Sequence, residues 1–289
     1  MTAHGHARYR GAEARLTSIH HKERVIAPVL RDELGILLGL TMGVDTDRFG
    51  TFSREIERSG SQLDAARAKI AAGFEQAPSV SLGVASEGSF GPHPDCPFLA
   101  FGRELVLLVD RETGFELSGS DAGPGTNFSH RIARDLDDAV AFAQGVGFPE
   151  HGLIVMGCRE EKPAPEIMLR KDITELSLLE EAVRSAIRLS GAAFIETDMR
   201  AHRNPTRMAA IERATQDLAR RFHSRCPRCA TPGFDVTERI RGLPCAWCGT
   251  PTRAFMTDIM ICRSCGYRHQ RPAHGKAEAE PRQCDICNP

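Results

Sequence analysis

Apolar residues recur at helical spacing over residues 61–74 (SQLDAARAKIAAGF), 177–190 and 206–222. This spacing predicts three amphipathic helices. Ser61 is placed to cap the first and Gly73 to end it, while Asn204-Pro205 reads as a cap followed by proline in the first turn of the third. A fourth helix is predicted over 133–144, after an acidic turn. Short apolar runs at 80–84, 104–110 (ELVLLVD), 153–156, 166–169 and 193–196 predict strands. The turn signal at 111–114 predicts a hairpin with 115–119 as its return strand. Residues 24–40 (RVIAPVLRDELGILLGL) start as a strand or turn and are expected to become a helix with Pro28 in its first turn. Residues 85–97 (ASEGSFGPHPDCP), with two Gly and three Pro, predict a loop. Strands alternating with helices give the fold class: an α/β layered domain with a mixed sheet over residues 16–222. A disordered start, 1–15, is expected before it.

From residue 223 the pattern changes. Eight of the ten cysteines form four Cys-x-x-Cys pairs: Cys226/Cys229, Cys245/Cys248, Cys262/Cys265 and Cys284/Cys287. Two thiolates at this spacing grip one tetrahedral Zn²⁺, and two pairs complete its shell. Residues 223–289 are therefore expected to be a double zinc-ribbon-like module with two structural zinc ions. A closed four-sulfur shell offers no open position to a substrate. Sequential, cross-brace and nested pairings all fit the spacers. The run FMTDIMIC before Cys265 resembles a ribbon hairpin on Cys245/Cys248 and Cys262/Cys265, which favours the nested pairing.

Composition narrows the function classes. With 37 Lys and Arg against 38 Asp and Glu, broad electrostatic binding to nucleic acid is not expected. One Trp and two Tyr offer few stacking rings to a single strand. The module is locally basic through Arg225, Arg228, Arg239, Arg241, Arg253, Arg263, Arg268 and Arg271, which suits phosphate contact or merely a solvated face. No run reaches membrane-span length, and the start carries His4 and His6 but no apolar stretch. A reducing, cytoplasmic setting is expected, with thiols as zinc ligands rather than disulfides.

Three polar segments stand out in the larger domain. Residues 17–23 (TSIHHKE) bring Lys22 to a helix start, where it can meet an anion, although an ordinary cap with a surface lysine is the simpler account. Residues 85–94 place Glu87, Ser89 and His93 after a strand, where ligands or Mg²⁺ sit in α/β sheets; a rigid turn with a solvated glutamate explains them equally well. Residues 196–207 (ETDMRAHRNPTR) crowd Glu196, Asp198, Arg200, His202, Asn204 and Arg207 at the start of a helix. Guanidinium forks there suit phosphate or carboxylate, and density and position favour function. Asp45 and Asp47 are spaced like hard-cation ligands but read better as a polar turn.

The segments ASEGSFGPHP, ETDMRAHRNPTR, PCAWCGTPT and CDICNP together resemble a bacterial family of uncharacterised function. A second resemblance is to the inosine-triphosphate pyrophosphatase-like superfamily. Thr17 to Lys22 is similar to its Thr/Ser-x-Asn-x-x-Lys turn, with His20 at the Asn and Lys22 at the phosphate-binding Lys. Lys69 lies on a similar second helix, and Glu87 stands where an acidic loop holds Mg²⁺. The paired acidic residues of that loop are missing.

These observations lead to an enzyme acting on a phosphorylated or nucleotide-like small molecule, a phosphoanhydride hydrolase among the candidates. Glu87, Asp198, His93 and His202 are the candidate catalytic residues. Lys22, Ser89, Arg200, Asn204 and Arg207 are the candidate ligand contacts, with Mg²⁺ as a candidate cofactor. The rival expectation is a non-catalytic zinc-ribbon protein that binds nucleic acid or a protein partner through its module.

Overall fold

The computed structural model describes residues 8–44 and 60–289. The chain divides into two compact units, one Tyr9–Ala219 and the other including Arg220–Pro289. Asp45 and Asp47, like His4 and His6, lie outside the described residues.

The larger unit is mixed α/β. Its first sheet contains β1 (Glu13–Leu16), β2 (Leu37–Leu40), β3 (Leu82–His93), β4 (Cys96–Asp110) and β5 (Phe115–Gly123), in the order β2-β1-β3-β4-β5. β1 runs parallel to both β2 and β3, and β3 to β5 form an antiparallel meander. Helix α1 (Glu23–Val29) joins β1 to β2 and continues as a π-turn over Leu30–Leu34; Gly35 ends it at φ 72°. Helix α2 (Gln62–Gln76) is capped reciprocally by Ser61 and Asp64. Its Ala66 and Ile70 pack on Ala85 and Leu107 of the sheet.

The second sheet contains β6 (His130–Ala133), β7 (Leu153–Arg159), β8 (Lys162–Ile173) and β9 (Ala193–Thr197), all antiparallel in the order β6-β9-β7-β8. Helices α3 (Leu136–Gly145) and α4 (Leu176–Ser190) cover one face, setting Phe142, Leu179 and Val183 on Leu153, Val155 and Ile195. Helix α5 (Pro205–His223) follows β9. It presses so closely on β5 that a Cβ at Gly119 would come within 2.2 Å of the Ala214 carbonyl oxygen.

Four sequence expectations are corrected. Residues 85–97 are not a loop: β3 runs through them to His93, and β4 starts at Cys96 after a tight turn. β1 covers this edge of β3 only as far as Val84, so Pro92 stands where no neighbour on that side asks for an amide. Residues 37–40 form β2 instead of extending a helix. Pro28 sits inside α1 rather than in its first turn, and the helix loosens into the π-turn two residues later. Residues 13–15, expected to be disordered, belong to β1, an inner strand between β2 and β3.

The smaller unit holds an antiparallel sheet of β10 (Val236–Arg241), β11 (Phe255–Ile261) and β12 (Arg268–Pro272), in the order β10-β11-β12. Among the described residues no helix is long and apolar enough to cross a membrane.

Candidate anion site and cysteine centres

In the larger unit the first sheet opens where β1 stops. Leu16 is the last β1 residue paired to β3, opposite Val84, and the Thr17 amide still donates to the Val84 carbonyl. Ser86 supplies a carbonyl beyond the end of β1, and Lys22 Nζ donates to it at 2.7 Å. The loop that carries Lys22 there packs tightly. A Cβ at Gly73 would lie 2.3 Å from Thr17 Oγ1, and His21 adopts φ 54°.

Lys22 is only 4% exposed, and Arg207 and Lys69 are close enough to repel its ammonium. Lys69 pairs with Glu87 at 2.5 Å. Arg207 pairs through Nε with Glu104 at 2.7 Å, hydrogen-bonds the Met199 carbonyl and lies over the Phe90 ring. Arg200 grips Asp198 through Nε and Nη2 and reaches Asp172 at 3.1 Å. Each of these three has its own buried or half-buried carboxylate. Lys22 has none within ion-pair distance among the described residues. Burial, then repulsion from Arg207, pushes its ammonium down to about 7.

Two histidines adjoin the cluster. His20 stacks on His202 with ring centroids 5.1 Å apart. Burial and the neighbouring Lys22 push His20 down to about 2, and burial with Arg200 lowers His202. Both rings are therefore neutral near pH 7. His202 Nδ1 and Glu104 Oε2 are buried without a hydrogen-bond partner among the described residues.

The first turn of α5 places the other sequence candidates. Asn204 is its cap: Oδ1 accepts from the Arg207 amide, and Nδ2 donates to Asn127 Oδ1 and the Asp198 carbonyl. That leaves Asn204 a positioning role. Asp198 is fully buried and devoted to Arg200, so the carboxylate orients the guanidinium. Lys22, Glu87, Arg200, His202 and Arg207 thus belong to one contiguous electrostatic cluster. His93 does not join it. It sits at the β3–β4 turn, about 20 Å along the strand from Glu87 at about 3.3 Å per residue, and its Nδ1 accepts from the Asp95 amide. Ser89 is exposed on the same side of β3 as Glu87.

Sequence reasoning missed Glu104, read as the opening of an apolar strand. A carboxylate at the start of ELVLLVD was the available signal. It also left Lys69 without a site role. Beside Glu104 and Arg207 a cleft of about 220 Å³ opens, also lined by Phe90, Thr126 and Arg213.

Gly88 makes room for this arrangement. A Cβ there would lie 2.6 Å from Glu104 Oε1 and 2.7 Å from Arg207 Nη2. Gly88→Ala is expected to lower stability by about 2–4 kcal/mol, toward the cost of breaking a buried pair, read as a fall in the urea midpoint. An unchanged midpoint would show that the two side chains yield freely.

The smaller unit gathers its thiols into two groups: Cys226, Cys229, Cys262 and Cys265, then Cys245, Cys248, Cys284 and Cys287. The pairing is cross-brace, which corrects the nested arrangement favoured by the sequence. β11 delivers Cys262 beside the first knuckle, and a bridge from Cys245 to Ala279 brings the last pair to the second. Sγ separations of 3.5 and 3.7 Å in one group and 3.6 and 3.8 Å in the other match the roughly 3.8 Å edge of a tetrahedron with 2.3 Å Zn–S bonds. Donor set and spacing fit one zinc per group. Residues 230, 249 and 266, each just after a second cysteine, have φ near 60–70°, two of them glycine as that turn prefers.

A family model described as "Domain of unknown function (DUF6671)" matches residues 70–289. The chain belongs to this family. The DUF6671 match takes in Glu87, Glu104, Arg207 and all eight clustered cysteines, and it begins just after Lys69. No curated protein matches the chain.

Proposed function

We propose that the larger unit binds a phosphorylated or nucleotide-like small molecule at Lys22 and acts on its phosphoryl group. The observation that carries this reading is Lys22 itself, a buried ammonium without an ion-paired carboxylate among the described residues, beside Lys69 and Arg207, which each have one. A phosphate oxygen would supply the missing counter-charge and restore the full ammonium.

The position supports the same reading. In the order β2-β1-β3 the chain leaves β1 in one direction and returns on its other side, and such a switch point at strand C-termini is where α/β sheets receive ligands. Lys22 occupies that point. The turn from Thr17 to Lys22 then plays the part that the pyrophosphatase-like resemblance assigns to it. Lys69 and Arg207 add positive field, and preorganised cations favour charge developing on a transferred phosphoryl group. Neutral His202 is the candidate proton acceptor. Glu104 Oε2 is the acceptor open to a ligand hydroxyl or to Mg²⁺ arriving with the phosphate. The cysteine centres have a structural role in this scheme, and reduced thiols suit a cytoplasmic setting.

The test is a thermal-shift series with pyrophosphate and with nucleoside mono-, di- and triphosphates, each with and without Mg²⁺. Wild type should shift with at least one compound and Lys22→Met with none. Equal shifts in both proteins would remove Lys22 from the site. Release of phosphate or pyrophosphate by wild type alone would extend binding to catalysis.

A further inference from the structure

The cross-brace sorts the residues at the four knuckle tips by chemistry. The first centre presents Arg228 and Arg263, both exposed. The second presents Trp247, 79% exposed, and Ile286, 68% exposed. Trp247 is the chain's one tryptophan, and in both knuckles of the second centre the apolar residue stands directly before the second cysteine. Large rings are normally covered on folding, because burying one stabilises by a few kcal/mol. Here the largest ring is held out on the turn between Cys245 and Cys248.

The surroundings are cationic. Arg253 Nε meets Asp285, the neighbour of Ile286, at 3.2 Å, with both side chains largely in solvent. Such an exposed pair is worth under about 1 kcal/mol, so phosphate can displace the carboxylate. Arg241 Nη1 donates to the Arg253 carbonyl, and Arg239 and Arg241 both lie over the Phe255 ring. Arg228, Arg241, Arg263 and Arg268 have no carboxylate within ion-pair distance among the described residues. Residues 220–289 carry 12 Arg and Lys against six Asp and Glu, whereas residues 1–219 carry 25 against 32. Two four-thiolate zinc centres, each formally −2, reduce the module's surplus but leave it positive.

We propose that the module binds single-stranded nucleic acid, with a base stacked on Trp247 against Ile286 and the backbone phosphates on Arg241 and Arg253. An exposed aromatic beside guanidinium groups is the arrangement that accepts single strands with little sequence preference. A duplex hides its base faces and offers Trp247 nothing to stack on. The scarcity of aromatic rings limits this surface to one stacked base, so affinity depends strongly on salt.

The test uses the full zinc-loaded chain and labelled dT15 and rU15 by anisotropy at 50 mM and 200 mM salt, with quenching of the single tryptophan as the local readout. Both oligonucleotides should bind, quench Trp247 and weaken with salt. Trp247→Ala should weaken binding about tenfold or more, Trp247→Phe should retain most of it, and Arg241→Glu should weaken it with a smaller salt slope. Unchanged zinc content in each variant assigns these losses to the surface rather than to misfolding. Absence of binding at 50 mM salt would overturn the proposal, as would equal affinity of Trp247→Ala or a duplex bound as tightly as the single strand. A protein partner lost on Trp247→Ala, with neither oligonucleotide bound, would overturn it in favour of a protein surface.

Discussion

Chelation of the metal from the full chain is expected to unfold Arg220–Pro289 and leave Tyr9–Ala219 folded. The smaller unit has little else to hold it. Its apolar cluster centres on Phe234 and Met260 and is completed by the metal-binding Cys226 and Cys262 themselves. Structural zinc contributes on the order of 10–16 kcal/mol in zinc-finger peptides, well above what a core of that size supplies. The larger unit has its own core under α3 and α4 and lends no ligand to either cysteine group. Trypsin reads the outcome, because 12 Arg and Lys lie between residues 220 and 289. After chelation, cleavage should be rapid there and slow upstream. An unchanged digestion pattern would remove the metal from the account of stability. Zinc stoichiometry of double variants tests the cross-brace separately. Cys226→Ser with Cys262→Ser should leave one zinc bound, whereas Cys226→Ser with Cys245→Ser should leave none. The nested arrangement would give no zinc for the first pair.

Lys22→Met should be more stable than wild type at pH 6 and should lose the ligand-dependent thermal shift. The folded state holds the Lys22 ammonium at about 7 against an ordinary 10.5. At about 1.4 kcal/mol per unit, keeping it charged below pH 7 costs about 5 kcal/mol. Methionine removes this cost but leaves the Ser86 carbonyl without its donor, a loss of about 1–3 kcal/mol. The net gain is about 2–4 kcal/mol at pH 6. The sign follows from proton counts. Between pH 7 and 10.5 the unfolded chain binds the Lys22 proton and the folded chain does not, so wild-type stability rises with pH through that window relative to the variant. The advantage of Lys22→Met should therefore shrink above pH 7 and reverse between about pH 8.5 and 10, where the neutral amine still donates to Ser86. Urea midpoints of both proteins from pH 6 to 10 check this. A variant less stable at pH 6 would mean that the ammonium already has a counter-charge. A residue that weakens the fold while supplying the binding charge is the usual exchange of stability for function.

Much of this architecture was legible because local signals agreed. Ser61 and Asp64 cap a helix whose alanines face the sheet, Asn204-Pro205 starts α5, and ELVLLVD is a buried strand. The failures have physical causes. Gly88, Gly91 and Pro92 read as loop residues, yet Gly88 is in β3 because Arg207 and Glu104 need its missing side chain, and Pro92 is tolerated beyond the end of β1. Leu37 to Leu40 is a short apolar run that periodicity alone does not assign to strand or helix. Gly35, in the left-handed region, was the stop signal. The polar segments at 17–23 and 196–207 were recognisable as site material from residue type. Which of their charges are consumed internally was not, because the partners of Arg200 and Asn204 include Asp172 and Asn127, far away in the chain. The zinc ligands were legible as a set but not as pairs, since all three spacers suit a ribbon and only the path of β11 selects the partner.

The interleaving of the two metal rings gives assembly a direction. The ring closed by Cys226 and Cys265 encircles Cys245 and Cys248, so its completion fastens both ends of the segment carrying that pair. The fourth knuckle, made after the other three, then meets a half-built receptor rather than a loose thread. A transcript cut short before codon 284 would yield a chain with one ring shut and two reactive thiols stranded inside it, an adhesive product for the cell to destroy.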